Sequence, residues 1–145
     1  MKDLDLSASL ALSAGHRMPW QSALLRMLRL IIDSYRAPDR DGWSRSLRLA
    51  QVHWGEDRGA LVFSDLARVL EEMRKARHSP FGFGAAQGEA ATHGPTRHEA
   101  LFLQTIRLQY AGLGAQADAV AHLLCECNET AAYLAAVRKL AHRLR

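Results

Sequence analysis

Apolar residues return at every third or fourth position along nearly the whole chain, which is the period of an α-helix. The every-second-residue alternation of a half-buried strand is almost absent. Residues 3–14 (DLDLSASLALSA) read as a short amphipathic helix closed by Gly15. Pro19, in a first turn, opens the next helix over 19–36. There Trp20, Leu24, Met27, Ile31 and Tyr35 make one face, and Leu25, Leu28 and Ile32 widen it. Ser22, Arg26, Arg29, Asp33 and Arg36 are left as one narrow polar stripe. A helix apolar around most of its circumference is expected at the centre of a fold.

Ala37 to Gly42 then breaks the chain in a turn. Residues 43–54 follow as a helix, with Trp43, Leu47, Ala50 and Trp54 expected inward, and 55–59 (GEDRG) as a charged turn. Over 60–77, Val62, Leu66, Val69, Leu70 and Met73 share one side. Ser64, Asp65, Arg68, Glu71, Glu72 and Lys75 lie opposite, with Glu71 and Lys75 in the favourable i,i+4 order. A rival reading folds 52–54 and 61–63 into a small hairpin around the GEDRG turn.

Residues 78–95 (HSPFGFGAAQGEAATHGP) have four glycines, two prolines and no period. Irregular segments of that length inside a domain are usually functional or disordered. Thr96 restarts the helical pattern with a capping box, Thr96-Arg97-His98-Glu99, and Leu101, Phe102, Ile106 and Tyr110 carry it to about residue 111. Gly112 and Gly114 bracket a link to an Ala-rich helix over 115–126. Asn128 is placed to cap a last helix over 129–144, with Tyr133, Val137, Leu140 and Leu144 inward. The expected fold is an all-α, single-domain bundle of five to six helices over residues 1–145, with one long Gly-rich loop.

Composition supports that reading without sharpening it. A chain of 145 residues, 48% hydrophobic and 23% charged, is an ordinary globular domain. No apolar run approaches the roughly 20 residues that cross a bilayer. Asp3 and Asp5 stand where a secretory leader carries positive charge. With only two cysteines, the expected location is cytoplasmic. A net charge of +4 suggests nucleic acid, but acids and bases interleave through the first half, and residues 79–129 are net acidic.

Candidate chemistry is sparse. His122 and Cys125, at i,i+3, could share a metal ion, but Cys127 would be turned about 200° away from Cys125 on a helix, and no second pair completes a site. His78, His93 and His98 border the Gly-rich loop and could meet a divalent ion there. Buried thiols and unrelated surface imidazoles are the commoner meaning of such residues. The run from Phe81 to Gly88 lacks the strand, lysine and spacing of a phosphate loop, so its two Phe residues read as anchors on the bundle. The 43–77 segment can be read as a helical hairpin resembling a DNA reader. Arg58, Ser64 and Arg68 would then contact DNA, with Arg138, Lys139, Arg143 and Arg145 as a basic C-terminus. The acids Asp65, Glu71 and Glu72 oppose that reading.

The functional expectation is a non-enzymatic cytoplasmic interaction or regulatory protein without a cofactor. It would work through protein–protein contacts, with a partner or with a second copy as a homodimer. A DNA-binding transcriptional regulator is the alternative, and a metal- or small-ligand-binding helical protein is the third reading.

Overall fold

Pro19 sits in the first turn of α1 (Pro19–Arg36), where its missing N–H leaves no hydrogen bond unmade. The preceding Met18 N–H is satisfied instead by Gln21 Oε1 at 2.6 Å. A computed structural model of the chain describes residues 18–86 and 94–145. The helix expected over 3–14 lies outside the described residues. After α1 come a short 3-10 turn (Pro38–Arg40), α2 (Gly42–Trp54), α3 (Glu56–Ala76), α4 (Arg97–Tyr110), α5 (Gly114–Leu124) and α6 (Ala131–Arg143). These six α-helices pack as one all-α bundle, and no strand occurs among the described residues, so the 52–54/61–63 hairpin is excluded.

The core is assembled from the faces the periodicity marks. Leu24, Met27, Leu28 and Ile31 of α1 meet Val62, Leu66, Leu70 and Met73 of α3, Phe102 and Ile106 of α4, and Tyr133, Val137 and Leu140 of α6. The α1 helix packs against α2, α3 and α4. Ala117 and Ala121, fully buried, let α5 lie close against α4.

Several expectations are corrected by this packing. The GEDRG segment is not a turn: Gly55 alone breaks the chain, and α3 starts at Glu56. Glu56 and Asp57 then occupy its first turn, where negative charge complements the helix dipole. Gly59 is helical because α2 crosses there. A Cβ at Gly59 would stand 2.5 Å from both the Ala50 carbonyl oxygen and the Gln51 Cα, so only hydrogen fits. The inward face of α2 is Gly42, Ser46 and Ala50, a row of small residues one turn apart, and Ser46 Oγ donates to the Met27 carbonyl. Trp43, expected inward, is displaced to the rim by that close approach. It is 43% exposed and meets Phe63 edge-on at 5.0 Å.

The polar stripe of α1 is also not a solvent stripe, because Arg29 and Asp33 are buried. Asp65, placed on the open side of α3, is 6% exposed and paired with Arg143 of α6 at 3.0 Å. Glu71 pairs with Arg74, and Lys75 with Glu72, so the expected Glu71–Lys75 partnership is replaced by i,i+3 pairs. Asn128 does not cap the last helix. Thr130 is its N-cap residue, and the Asn128 Nδ2 donates instead to the Ala76 carbonyl at 2.7 Å, closing the end of α3.

Candidate functional site

The irregular chain that follows α3 is held in place by three side chains that sequence periodicity assigns to other tasks. Arg77, the residue after α3, folds its guanidinium back over its own loop. Nε donates to the Ser79 carbonyl and Nη2 to the Pro80 carbonyl, while Nη1 donates to the Leu124 carbonyl at the end of α5. Glu126 approaches from the other side. It and Cys127 both have left-handed backbone, φ 58° and 62°. That conformation costs a non-glycine residue about 1–2 kcal/mol. It points the Glu126 carboxylate at the loop, where Oε1 accepts from His78 N–H at 2.6 Å and Ser79 N–H at 3.0 Å. These hydrogen bonds, Ser79's backbone first, pull the Glu126 carboxyl down to about 2.

The third tie is Glu99. The capping box expected at Thr96 is present: Glu99 N–H donates to Thr96 Oγ1 at 3.1 Å and Thr96 N–H donates to Glu99 Oε1 at 2.8 Å. The same carboxylate does more than cap. It is fully buried and receives Nε and Nη2 of Arg29 side-on, both at 2.9 Å, and also the Gly84 N–H at 2.9 Å. Burial alone would raise the Glu99 carboxyl. The hydrogen bonds from Arg29, Gly84 and Thr96 together outweigh that and hold it below its ordinary value. A Cβ at Gly84 would run into the Arg29 guanidinium, so the loop needs glycine to come this close.

His98 completes the arrangement. Gly82 N–H donates to His98 Nδ1 at 2.7 Å, and Thr96 Oγ1 donates to the Gly82 carbonyl at 2.7 Å. An imidazole accepting at Nδ1 is neutral, and Arg77 Nη2 stands 3.5 Å from the His98 Nε2. Burial, then the positive charges of Arg77 and Arg97, hold its pKa below the ordinary 6.5 despite the opposing charge of Glu126. The neutral form therefore stabilises the fold above pH 6.5, and that contribution is lost as pH falls through the lowered pKa. Replacing His98 by Asn should remove that part of the stability change between about pH 7 and 5, measured as urea midpoints against the unchanged chain. Identical pH profiles for the two would exclude His98 as the group responsible.

With the loop fixed, a groove of about 390 Å³ is formed between it and the C-terminal halves of α1 and α3. Ile32, Leu70 and Met73 make its floor, and Tyr35, Phe81 and Phe83 its walls. The groove is open, since Tyr35 at its edge is 48% exposed. Two arginines sit on its rim against aromatic faces. Arg36 lies 5.5 Å from the Phe83 ring centroid, and Arg74 lies 4.5 Å from that of Tyr35. Phe81 packs on His98 and edge-on to Phe102, so the expectation that these Phe residues anchor the loop is met.

The candidate residues named from sequence are dispersed by the fold. His78 and His98 both lie at the loop, but His98 Nδ1 is already taken by Gly82, and His93 lies outside the described residues. His122 is exposed on α5, whereas Cys125, the residue after that helix, is buried, and burial pushes its thiol up to about 11. Cys127 stands in the turn beyond, not on a shared helix. Among the described residues, no three His, Cys, Asp or Glu side chains group as a metal ion requires.

The basic candidates come together differently. Arg58 donates to the Arg143 and Arg145 carbonyls, Arg143 and Lys139 pair with Asp65, Arg68 pairs with Glu72, and Arg145 donates to the Tyr110 carbonyl. Ser64 and Arg138 are exposed on α3 and α6. Most of this set therefore joins α3 to α6 and the C-terminus. No protein-family model, curated protein or solved structure matches the chain.

Sequence reasoning identified the loop and the capping box but not the groove. The periodicity of α1 puts Tyr35 on the buried face and Arg36 on the polar stripe, and it carries no signal that both meet the 78–86 loop.

Proposed function

We propose that this chain is a non-enzymatic helical interaction protein that receives a segment of another protein in the groove beside residues 78–86. The observation that supports this most directly is the groove itself. Buried Ile32, Leu70 and Met73 lie beneath exposed Tyr35, half-buried Phe81 and Phe83 and the exposed Arg36 and Arg74, and aromatic, Met and Arg side chains are those enriched where proteins meet. Its walls are pre-arranged, because Glu99, Glu126, His98 and Arg77 tie the loop by backbone hydrogen bonds. Less ordering entropy is then lost when a partner binds.

A photo-crosslinking residue at position 35, introduced in the native host, tests the reading. The expected result is a protein adduct formed through position 35 and absent when the same probe replaces exposed Ser64. Equal adducts at both positions, or none at position 35, would end the assignment of the groove as a docking site. A second copy of this chain in the adduct would identify self-association as the contact.

A further inference from the structure

We infer that the segment received by the groove is acidic, with carboxylates flanking an aliphatic or aromatic anchor. This rests on the groove being a protein-binding surface and adds the chemistry of what binds. The charge of the lining is one-sided. Arg36, Arg74 and Arg77 contribute to it, and among the described residues no Asp or Glu lines it.

Each of the two rim arginines lies over an aromatic ring of the groove wall. Arg77 is engaged by carbonyl oxygens, whereas Arg36 makes no hydrogen bond or ion pair among the described residues and is held by the Phe83 ring face. Arg74 is held over Tyr35, with Glu71 at 3.7 Å as its only acidic neighbour among the described residues. A guanidinium carries its N–H donors in a planar fork that matches a carboxylate. Arg36 ends α1, and Arg74, in the last turn of α3, reaches the ring of Tyr35 on α1. An occupant that satisfies both places an apolar side chain against Tyr35, Phe81 and Phe83, over the buried Ile32, Leu70 and Met73, and a carboxylate toward each rim arginine.

The openness of the site favours a chain segment over an enclosed small molecule, because small-ligand sites bury most of their ligand's surface. Rim charges of this kind act mainly on association rate and salt dependence, and on the choice between partners.

The test uses the full chain and fluorescein-labelled twelve-residue peptides read by anisotropy. One peptide carries Glu residues around a Leu-Phe anchor, a second replaces each Glu by Gln, a third replaces each by Lys, and a fourth keeps Glu but replaces the anchor by Ser. The expected result is binding of the first alone at low salt, weakening by about tenfold or more when ionic strength rises from about 0.05 to 0.5 M. Arg36→Ala and Arg74→Ala should each weaken it by about three- to tenfold with an unchanged melting temperature, since both side chains lie at the surface. Tyr35→Ala should weaken it through loss of the wall. Equal binding of the Gln and Glu peptides overturns the acidic preference while leaving the groove a docking site. Binding of the Ser-anchor peptide as tightly as the first shows charge attraction without use of the groove and overturns the proposal, as does an absence of binding by any peptide. Oleate competing away the first peptide and binding more tightly than it would also overturn the proposal, in favour of a lipid carboxylate.

Discussion

Glu99→Ala is expected to destabilise the protein by about 3–5 kcal/mol, because it removes the buried carboxylate that the buried Arg29 guanidinium meets at 2.9 Å. For a chain of this length that corresponds to a fall of roughly 10–20 °C in melting temperature. Three groups lose an acceptor together: the Arg29 fork, the Gly84 N–H and the Thr96 N–H. The effect therefore spreads from the core pair into the loop. Amides of residues 82–84 should exchange with solvent much faster than in the unchanged protein, beyond what the global loss of stability accounts for. Glu99→Gln keeps an acceptor but not the charge and should fall between.

Replacing both partners, Arg29→Met with Glu99→Leu, distinguishes the ion pair from the loop tie. If the pair matters only to itself, an apolar substitute of similar size should be close to neutral. Because the carboxylate also accepts from Gly84 and Thr96, a residual cost of about 1–3 kcal/mol and continued fast exchange in the loop are expected. A double variant as stable and as protected as the parent would show that the loop is held without Glu99. The unchanged protein should also lose this contribution in acid. The Glu99 carboxyl is held below its ordinary 4.5, so its stabilisation is present above that pH and disappears as pH falls through the lowered value.

Helix existence was legible because it depends on local period, and local period is printed in the chain. Pro19 and the Thr96–Glu99 box punctuate it in ways that need no tertiary information. Errors arose where a second helix decided the outcome. Ala50 is buried as its spacing indicates, but Gly42 and Ser46, which carry little hydrophobic signal, share that buried face of α2, because close approach rewards small side chains while Trp43 is too large to enter. Gly59 has the composition of a turn, but a crossing backbone gives it a place inside α3. Arg29 and Asp65 read as polar-face residues because a sequence shows their spacing and not their partners, Glu99 and Arg143, which are 70 and 78 positions away. The groove was invisible for the same reason: it joins the ends of two helices to a loop, and no periodicity spans all three.

Ile31→Ala should cost about 2–5 kcal/mol, the range for removing a buried aliphatic side chain and leaving a cavity. Ile31 is fully buried near the middle of the apolar face of α1, between Leu24, Met27 and Leu28 toward one end and Ile32 toward the groove. Its helix is enclosed by α2, α3 and α4, so the neighbours that would have to collapse into the vacated space are themselves tied. Ser46 holds α2 to the Met27 carbonyl, and Arg29 holds α4 through Glu99. A site that relaxes poorly lies toward the upper end of the range, because the cost grows with the volume left empty. Leu28→Ala, also fully buried, should cost a similar amount. Tyr35→Ala, four residues on from Ile31 at the half-exposed end of the same face, should cost markedly less. Urea unfolding of the three variants gives the order directly, with midpoints compared at constant slope. A Tyr35 variant as unstable as the Ile31 variant would mean that the groove wall belongs to the core, and the open groove would then be the wrong description of that surface.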